Sequence, residues 1–227
     1  MNNAIKLNEK IYFYIVLKRG SLQREQTPSE EIVNAILHGI GVGLSIAALV
    51  VLLIYANIHG DAWHIVSFSI YGATLIMLYL ASTLYHSFPK GKWKNILHVV
   101  DHSSIFLLIA GTYTPVTLTA MRGPWGWSIF GVIWGIALLG IILKVFWMGK
   151  FKFLSVGLYV IMGWLIVIAI KPLIDSLETF SLIFLFAGGL SYSIGIIFYI
   201  WRKLQIFTWY LAFICFSRKY LSLFYCI

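Results

Sequence analysis

Long apolar stretches separated by short polar segments form the main pattern of this chain. Strands of a membrane barrel would alternate apolar and polar residues over about ten positions, whereas these stretches are apolar on all sides. Six of them approach the length of about 20 residues that a membrane-spanning helix needs: Val33–Ala56, Ala62–Tyr85, Leu97–Leu118, Trp127–Phe146, Phe153–Ile170 and Thr179–Ile200. A seventh, weaker stretch follows Lys203. The pattern predicts an all-α fold, a polytopic seven-helix transmembrane bundle in which the seventh helix is doubtful.

Composition supports the same class of protein. Hydrophobic residues make up 60% of the chain and charged residues 11%, with a mean hydropathy of +0.89. A soluble domain carries about a quarter charged residues, so the composition indicates a membrane protein whose partner is the lipid bilayer. The formal net charge of +9 is explained by anionic lipid headgroups, and no nucleic-acid partner is predicted.

The distribution of Lys and Arg predicts the orientation, because basic residues that flank spans are retained on the cytoplasmic side. The N-terminal tail and every second loop are rich in them, and the opposite side has only Arg122 and Lys171. The other flanking basic residues are Lys6, Lys10, Lys18, Arg19, Arg24, Lys90, Lys92, Lys94, Lys144, Lys150, Lys152, Arg202 and Lys203. The chain is therefore predicted to be a multi-pass protein of the cell membrane with a cytoplasmic N-terminus.

The apolar pattern divides the chain into three predicted segments. Residues 1–30 form a cytoplasmic N-terminal tail, since the apolar run Ile11–Leu17 is not followed by a cleavage site of small residues. Residues 31–203 form one compact six-span membrane domain, and residues 204–227 form a degraded or frame-shifted seventh span. Cys215 and Cys226 in that last segment match no metal-binding or disulfide pattern.

Polar side chains inside the apolar stretches cluster at one end of the first three spans. An ionisable group in hydrocarbon costs several kcal/mol, on the order of 2.5–3.5 for Asp or Lys at the centre of a span, unless it is paired, hydrated or metal-bound. Residues three and four apart share a helix face, so each span presents one polar face there. The residues are Glu31, Asn34 and His38 in the first span, Ser82 and His86 in the second, and His98, Asp101 and His102 in the third.

These residues resemble the hemolysin III family, part of the wider group that includes the adiponectin and progestin membrane receptors. The resemblance rests on Glu31-x-x-Asn34-x-x-x-His38-Gly39, on Ser82-x-x-x-His86 and on the run from Val100-Asp101-His102 to Tyr113-Thr114-Pro115. Arg122-Gly-Pro-Trp-Gly-Trp127, Met162-Gly-Trp-Leu165 and Gly188-Gly189 fit it as well. It covers roughly Glu30 to Lys203.

The resemblance implies seven spans and a zinc site. The ligands would be the histidine of span two, an aspartate of span three acting through water, and two histidines spaced His-x-x-x-His in span seven. Carried over, His86 is a metal ligand, Asp101 is both a metal-site and a catalytic residue, and Ser82 is its polar catalytic neighbour. Three imidazoles and an open water position are typical of catalytic zinc, which lowers the pKa of water to about 7.

The chain departs from the family after Lys203, because no histidine follows His102. Back-translating Phe207–Arg218 with ordinary codons and reading one base later yields Ser-His-Gly-Ile-Trp-His-Leu-Phe-Val-Leu-Ala-Gly. That alternative frame restores His-x-x-x-His at positions 208 and 212. The apolar run from Leu204 also ends at Phe216, before Arg218 and Lys219, and is shorter than a span.

Two functions from different classes stay open. The family name implies a haemolysin or cytolysin that acts on membranes. The receptor branch is linked to hydrolysis of ceramide-like amides, which makes a zinc-dependent intramembrane hydrolase of lipid amides the alternative, impaired here by loss of the span-seven histidines. His86 and Asp101 could also be only a polar pair that joins two helices, and His98 with His102, spaced i and i+4, could themselves bind a metal.

Overall fold

Every element that the structure describes is helical. The structure is a computed structural model that describes residues 27–146 and 152–200, and it has no strand within them. The helices are α1 Pro28–His59, α2 Ala62–Ser87, α3 Lys92–Pro115, α4 Pro124–Phe146, α5 Lys152–Trp164, α6 Ile170–Ser176 and α7 Thr179–Ile200. The all-α prediction is confirmed.

The helices follow the predicted spans closely. Five of the described helical segments are long and apolar enough to cross a bilayer, the fifth being the continuous run Leu154–Ser176, which includes α6. Helix α7 has the bounds that the apolar pattern predicted, and its apolar part within the searched residues is the shorter segment Thr179–Gly195. The predictions for the tail before residue 27 and for the degraded segment 204–227 lie outside the described residues.

Helix α1 begins where the local sequence supplies a complete cap. The backbone N–H of Thr27 donates to Glu30 Oε2 at 2.8 Å, and the N–H of Glu30 donates to Thr27 Oγ1 at 3.3 Å. Pro28 occupies the first turn, where a missing N–H costs nothing. This capping box satisfies N–H groups that the helix itself leaves without acceptors, and it places the helix start before Glu31.

Asp61 caps the start of helix α2 and also connects two loops at the far end of the bundle. Its carboxylate accepts from the backbone N–H of Trp63 at 2.9 Å and of His64 at 3.1 Å, and Oδ1 lies 2.7 Å from His64 Nδ1. Arg122, in the loop before α4, approaches Asp61 Oδ2 at 3.4 Å and lies 4.7 Å from the Trp63 ring centre. We call this end, with Trp63, Arg122 and Trp127, the tryptophan end.

The hydrogen bond from the His64 side chain is the main reason that the pKa of Asp61 is lowered from its ordinary value of 3.8. A carboxyl group with a lowered pKa stabilises the folded state above its ordinary pKa and loses that contribution as the pH falls through the lowered value. The connection at the tryptophan end is therefore complete at neutral pH and weakens only in strong acid.

The interior consists of two packed clusters. Leu52 on α1 meets Phe68 and Tyr71 on α2, and all three are almost fully buried. Phe106 on α3, Ile133 on α4 and Met162, Ala169 and Leu173 on the fifth span form the second cluster, fully buried. Because lipid is as apolar as these side chains, close packing rather than water exclusion supplies most of the attraction between the helices.

The third and fifth spans each contain an irregular turn, and one tyrosine satisfies backbone groups at the turn of the fifth span. After Pro115 the third span continues as a π-helical turn, Val116–Ala120, and the fifth span contains a 3₁₀ turn, Leu165–Ala169. Tyr113 Oη donates to the Met162 carbonyl at 2.7 Å and accepts from the Ile166 N–H at 3.1 Å. Non-helical backbone at membrane depth needs such partners, so Tyr113 holds the third span against the fifth.

Candidate functional site

One carboxylate joins three helices at the end of the bundle opposite the tryptophan end. Glu31 lies in the first turn of α1, and its Oε2 is 2.6 Å from Nδ1 of His86, near the end of α2. Its Oε1 accepts from Nζ of Lys94, in the first turn of α3, at 2.7 Å. The His86 side chain is 7% exposed, Lys94 13% and Glu31 21%. We call this region, with Ser82 and Asp101, the polar end.

Aromatic rings enclose His86. The ring of His38, one helical turn beyond Asn34 on α1, is parallel to the His86 ring, with centres 5.6 Å apart and planes 2° apart. Tyr85 meets His86 edge to face at 4.8 Å, and Lys94 Nζ lies 5.0 Å from the centre of the same tyrosine ring. Glu31 and His38 therefore lie on one face of α1, as their spacing predicted, and that face meets α2. Asn34, between them, is buried.

Ser82 and Asp101 form the second contact of the site. Ser82, one turn before His86 on the same face of α2, is buried and lies beside the carboxyl group of Asp101. Asp101 also interacts electrostatically with His86 and with Lys144 at the end of α4. The structure thus brings Ser82, His86 and Asp101 together across α2 and α3, while the roles assigned to them stay predictions.

His98 and His102 also approach each other on α3. Their ring centres are 4.4 Å apart with an interplanar angle of 68°, and Tyr85 lies 5.3 Å from His98. The carbonyl of His102 accepts a hydrogen bond from Tyr159 Oη on α5 at 2.8 Å. Within the described residues no group of three His, Cys, Asp or Glu side chains is arranged to hold a metal, so this pair has no third ligand of these types there.

Lys94 was not predicted to belong to the site, because the sequence pattern placed it among the basic residues of a loop. Lys94, His98 and Asp101 are spaced i, i+4 and i+7, so they occupy one face of a helix that starts before Leu97. The structure starts α3 at Lys92, and the lysine therefore joins the site face. The spacing could be recognised in the sequence. The earlier start of α3 could not, because its first turn is polar and the prediction was based on apolar residues.

Two of the described residues, His86 and Asp101, fit the zinc site that the resemblance implies. A metal-binding histidine usually donates its other ring N–H to a carboxylate. Nδ1 of His86 lies 2.6 Å from Oε2 of Glu31, which leaves Nε2 for a metal. Asp101 with Ser82 offers a carboxylate acting through water. A tetrahedral site needs further ligands, and these would have to come from the segment after Lys203, which lies outside the described range and contains no histidine.

Helix lengths, apolar faces and this cluster of ionisable groups define a multi-pass α-helical membrane protein with a polar site at one end of its first three helices. The family described as "Haemolysin-III related" matches residues 26–218. The chain therefore belongs to the hemolysin III family, and the predicted resemblance is confirmed.

Individual relatives cover most of the chain. It is 52% identical over 178 residues to "Hemolysin-3 homolog" of Bacillus subtilis (strain 168), covering 78% of this chain and 84% of that protein. It is 50% identical over 179 residues to "Hemolysin-3" of Bacillus cereus, covering 79% and 82%. "Monocyte to macrophage differentiation factor" of Homo sapiens is 26% identical over 163 residues, covering 69% and 66%. No solved structure matches the chain.

Proposed function

We propose that the polar end is the site of an intramembrane hydrolase of lipid amides, and that this chain carries an impaired form of it. The observation that supports the proposal is the convergence of His86, Ser82 and Asp101 from two helices, with Glu31 behind the histidine. Ionisable groups inside spans are costly and mark functional sites by default. A purely structural polar pair would need neither a third helix nor a second carboxylate.

The proposal gives each side chain a separate task. Asp101 orients the attacking water, Ser82 holds the Asp101 carboxylate in place, and His86 is a metal ligand. Zinc, when bound, supplies a water whose pKa is lowered to about 7. The reaction adds water across the amide bond and yields a fatty acid and an amine. A lipid substrate would reach the polar end from the bilayer, which surrounds the exposed apolar faces of the helices.

The test compares fatty-acid release by the full chain in vesicles that contain ceramide and zinc. We expect the double variant Thr208→His, Ala212→His to release fatty acid at least about 100-fold faster than the unaltered chain, because even outer-shell changes alter metal sites 10- to 100-fold. Adding Asp101→Asn to the double variant should abolish release. Adding Asp175→Asn, at the far end of the fifth span, is the matched control and should leave release unchanged.

Two results would contradict the hydrolase. One is no fatty-acid release from the double variant with zinc bound. The other is release that survives Asp101→Asn, since the carboxylate would then have no part in the reaction.

Lysis of membranes is the second candidate, because two relatives bear the names "Hemolysin-3" and "Hemolysin-3 homolog". The same vesicles can carry a trapped dye. Dye leakage that persists in His86→Ala and is accompanied by no fatty-acid release would support a lytic activity independent of the polar end. Fatty-acid release without leakage would support the hydrolase alone.

The cell membrane is the proposed location, with the N-terminus and the polar end on the cytoplasmic side. The count of flanking Lys and Arg residues supports this orientation. Reporter domains fused after Lys94 or Lys152 should therefore read cytoplasmic, and fusions after Asp61 or Arg122 should read external. The reverse pattern at two of these four positions would overturn the orientation, while the fold and the site would be unaffected.

A further inference from the structure

We propose that Glu31 is a positioning residue that locks His86 in the tautomer with its proton on Nδ1, so that the ring's lone pair lies on Nε2. The use of that lone pair as a metal ligand rests on the proposed function. The tautomer itself does not, because it follows from contacts within α1, α2 and α3.

The contact between the two side chains has a defined polarity. Oε2 of Glu31 is 2.6 Å from Nδ1 of His86, which is the distance of a charge-assisted hydrogen bond. An ionised carboxylate can only accept, so the proton between the two atoms belongs to Nδ1. A neutral imidazole carries one N–H, and its other nitrogen, Nε2, then has the lone pair.

Lys94 makes this assignment stronger. Its Nζ donates to Oε1 of Glu31 at 2.7 Å and also to the carbonyl of Phe88 at 3.2 Å. The ammonium is a donor with no acceptor capacity, so it favours the ionised carboxylate. With Oε1 bonded to Lys94, Oε2 is the oxygen that meets His86. The carboxylate is thus held by one donor on α2 and another on α3.

Packing around the imidazole prevents the ring from turning away. The His86 side chain is 7% exposed, with His38 parallel to one face at 5.6 Å and Tyr85 edge-on at 4.8 Å. Rotating the ring by half a turn would place a carbon where Nδ1 now meets Glu31, and would lose the hydrogen bond. Orientation and tautomer are therefore fixed by the same contact.

The experiment measures the tautomer directly. The full chain is labelled with ¹⁵N-histidine and measured in bicelles at about pH 8. This pH lies above the ordinary pKa of imidazole, about 6.5, so an ordinary imidazole is neutral. The chain's six histidines give separate ring signals, and those of His86 are the ones that His86→Gln removes. We expect the unaltered chain to show His86 as the Nδ1–H form alone. Glu31→Gln, whose amide can either donate or accept, should show a mixture with the Nε2–H form.

Glu30→Gln is the matched control, because it removes the same charge one position earlier from a side chain whose carboxylate caps Thr27. It should leave the His86 signals unchanged, and Glu31→Asp, which keeps the charge, should retain mainly the Nδ1–H form. If Glu31 only linked the three helices, Glu31→Gln would lower thermal stability but leave the His86 tautomer unchanged. That result would overturn the proposal.

The unaltered chain alone also tests the proposal if Glu31→Gln fails to fold, because an Nε2–H signal for His86 there would refute it. The outcome is separable from that of the hydrolase test. An Nδ1–H form lost in Glu31→Gln, with no fatty-acid release from the zinc-loaded Thr208→His, Ala212→His chain, would support the role of Glu31 and refute the hydrolase.

Discussion

The double variant Thr208→His, Ala212→His is expected to bind one zinc ion per chain and the unaltered chain to bind zinc only weakly. In the seventh span that the family resemblance implies after Lys203, positions 208 and 212 would share one face. Two imidazoles, added to His86 and to a water held by Asp101 as the resemblance implies, would complete a four-ligand set of the catalytic type. Affinity should rise by on the order of 100-fold or more, since losing even an outer hydrogen-bond partner costs about 10- to 100-fold. Metal analysis of the purified protein and competition with a chelator measure both values.

A second pair of histidines in the wrong register provides the control. Thr208→His with Tyr210→His adds the same two side chains, but positions two apart do not face the same side of a helix. This variant should bind zinc no better than the unaltered chain. Stoichiometric zinc in the unaltered chain, lost on His86→Ala, would show that other groups complete the site, with His98 and His102 the first to test. Resequencing the gene around the codons for Lys203–Phe207 would decide the reading frame directly.

Gly126→Ala is expected to lower the free energy of unfolding by about 1–3 kcal/mol, the usual cost of overpacking. Gly126 is buried in the first turn of α4, and a Cβ there would collide with the carbonyl oxygens of Thr117 and Met121. These are backbone atoms, so no change of rotamer relieves the overlap, and the turn between α3 and α4 would have to shift. Thermal or denaturant unfolding in detergent micelles measures the loss.

Gly131→Ala is the matched control on the same helix. A Cβ at Gly131 meets nothing within 4 Å, and alanine forms helices better than glycine by about 1 kcal/mol in aqueous hosts. The control should therefore be neutral or stabilising. Equal losses in the two variants would show that glycine itself, rather than the space at Gly126, matters for α4.

The apolar pattern predicted the helices well because each span is a local property. A run of about 20 apolar residues must satisfy its own backbone hydrogen bonds in lipid, and only a helix does so within one segment. The bounds of α7 were therefore predicted to the residue, and those of α1 to α4 within five residues. The early start of α3 at Lys92 was missed, because the first turn of that helix is polar and the pattern counted only apolar residues.

The sequence predicted only part of the site, because spacing along one helix is local information. Helical spacing placed Ser82 with His86 on one face and Glu31 with His38 on another, and the resemblance connected His86 to Asp101. Spacing within one helix says nothing about which side chain of a neighbour lies opposite, and it could not pair Glu31 with His86 and Lys94.

The sequence by itself determined the class of protein, the approximate positions of the described spans, the polar faces of the first three helices, and the family. Each of these depends on local composition or on residues close along the chain. Only the tertiary structure decided that one carboxylate on α1 holds His86 and Lys94 across two other helices, and that Tyr113 supports the irregular turn of the fifth span. Those contacts depend on the rotation and depth of one helix against the next, which are fixed by packing between residues 49 to 63 positions apart.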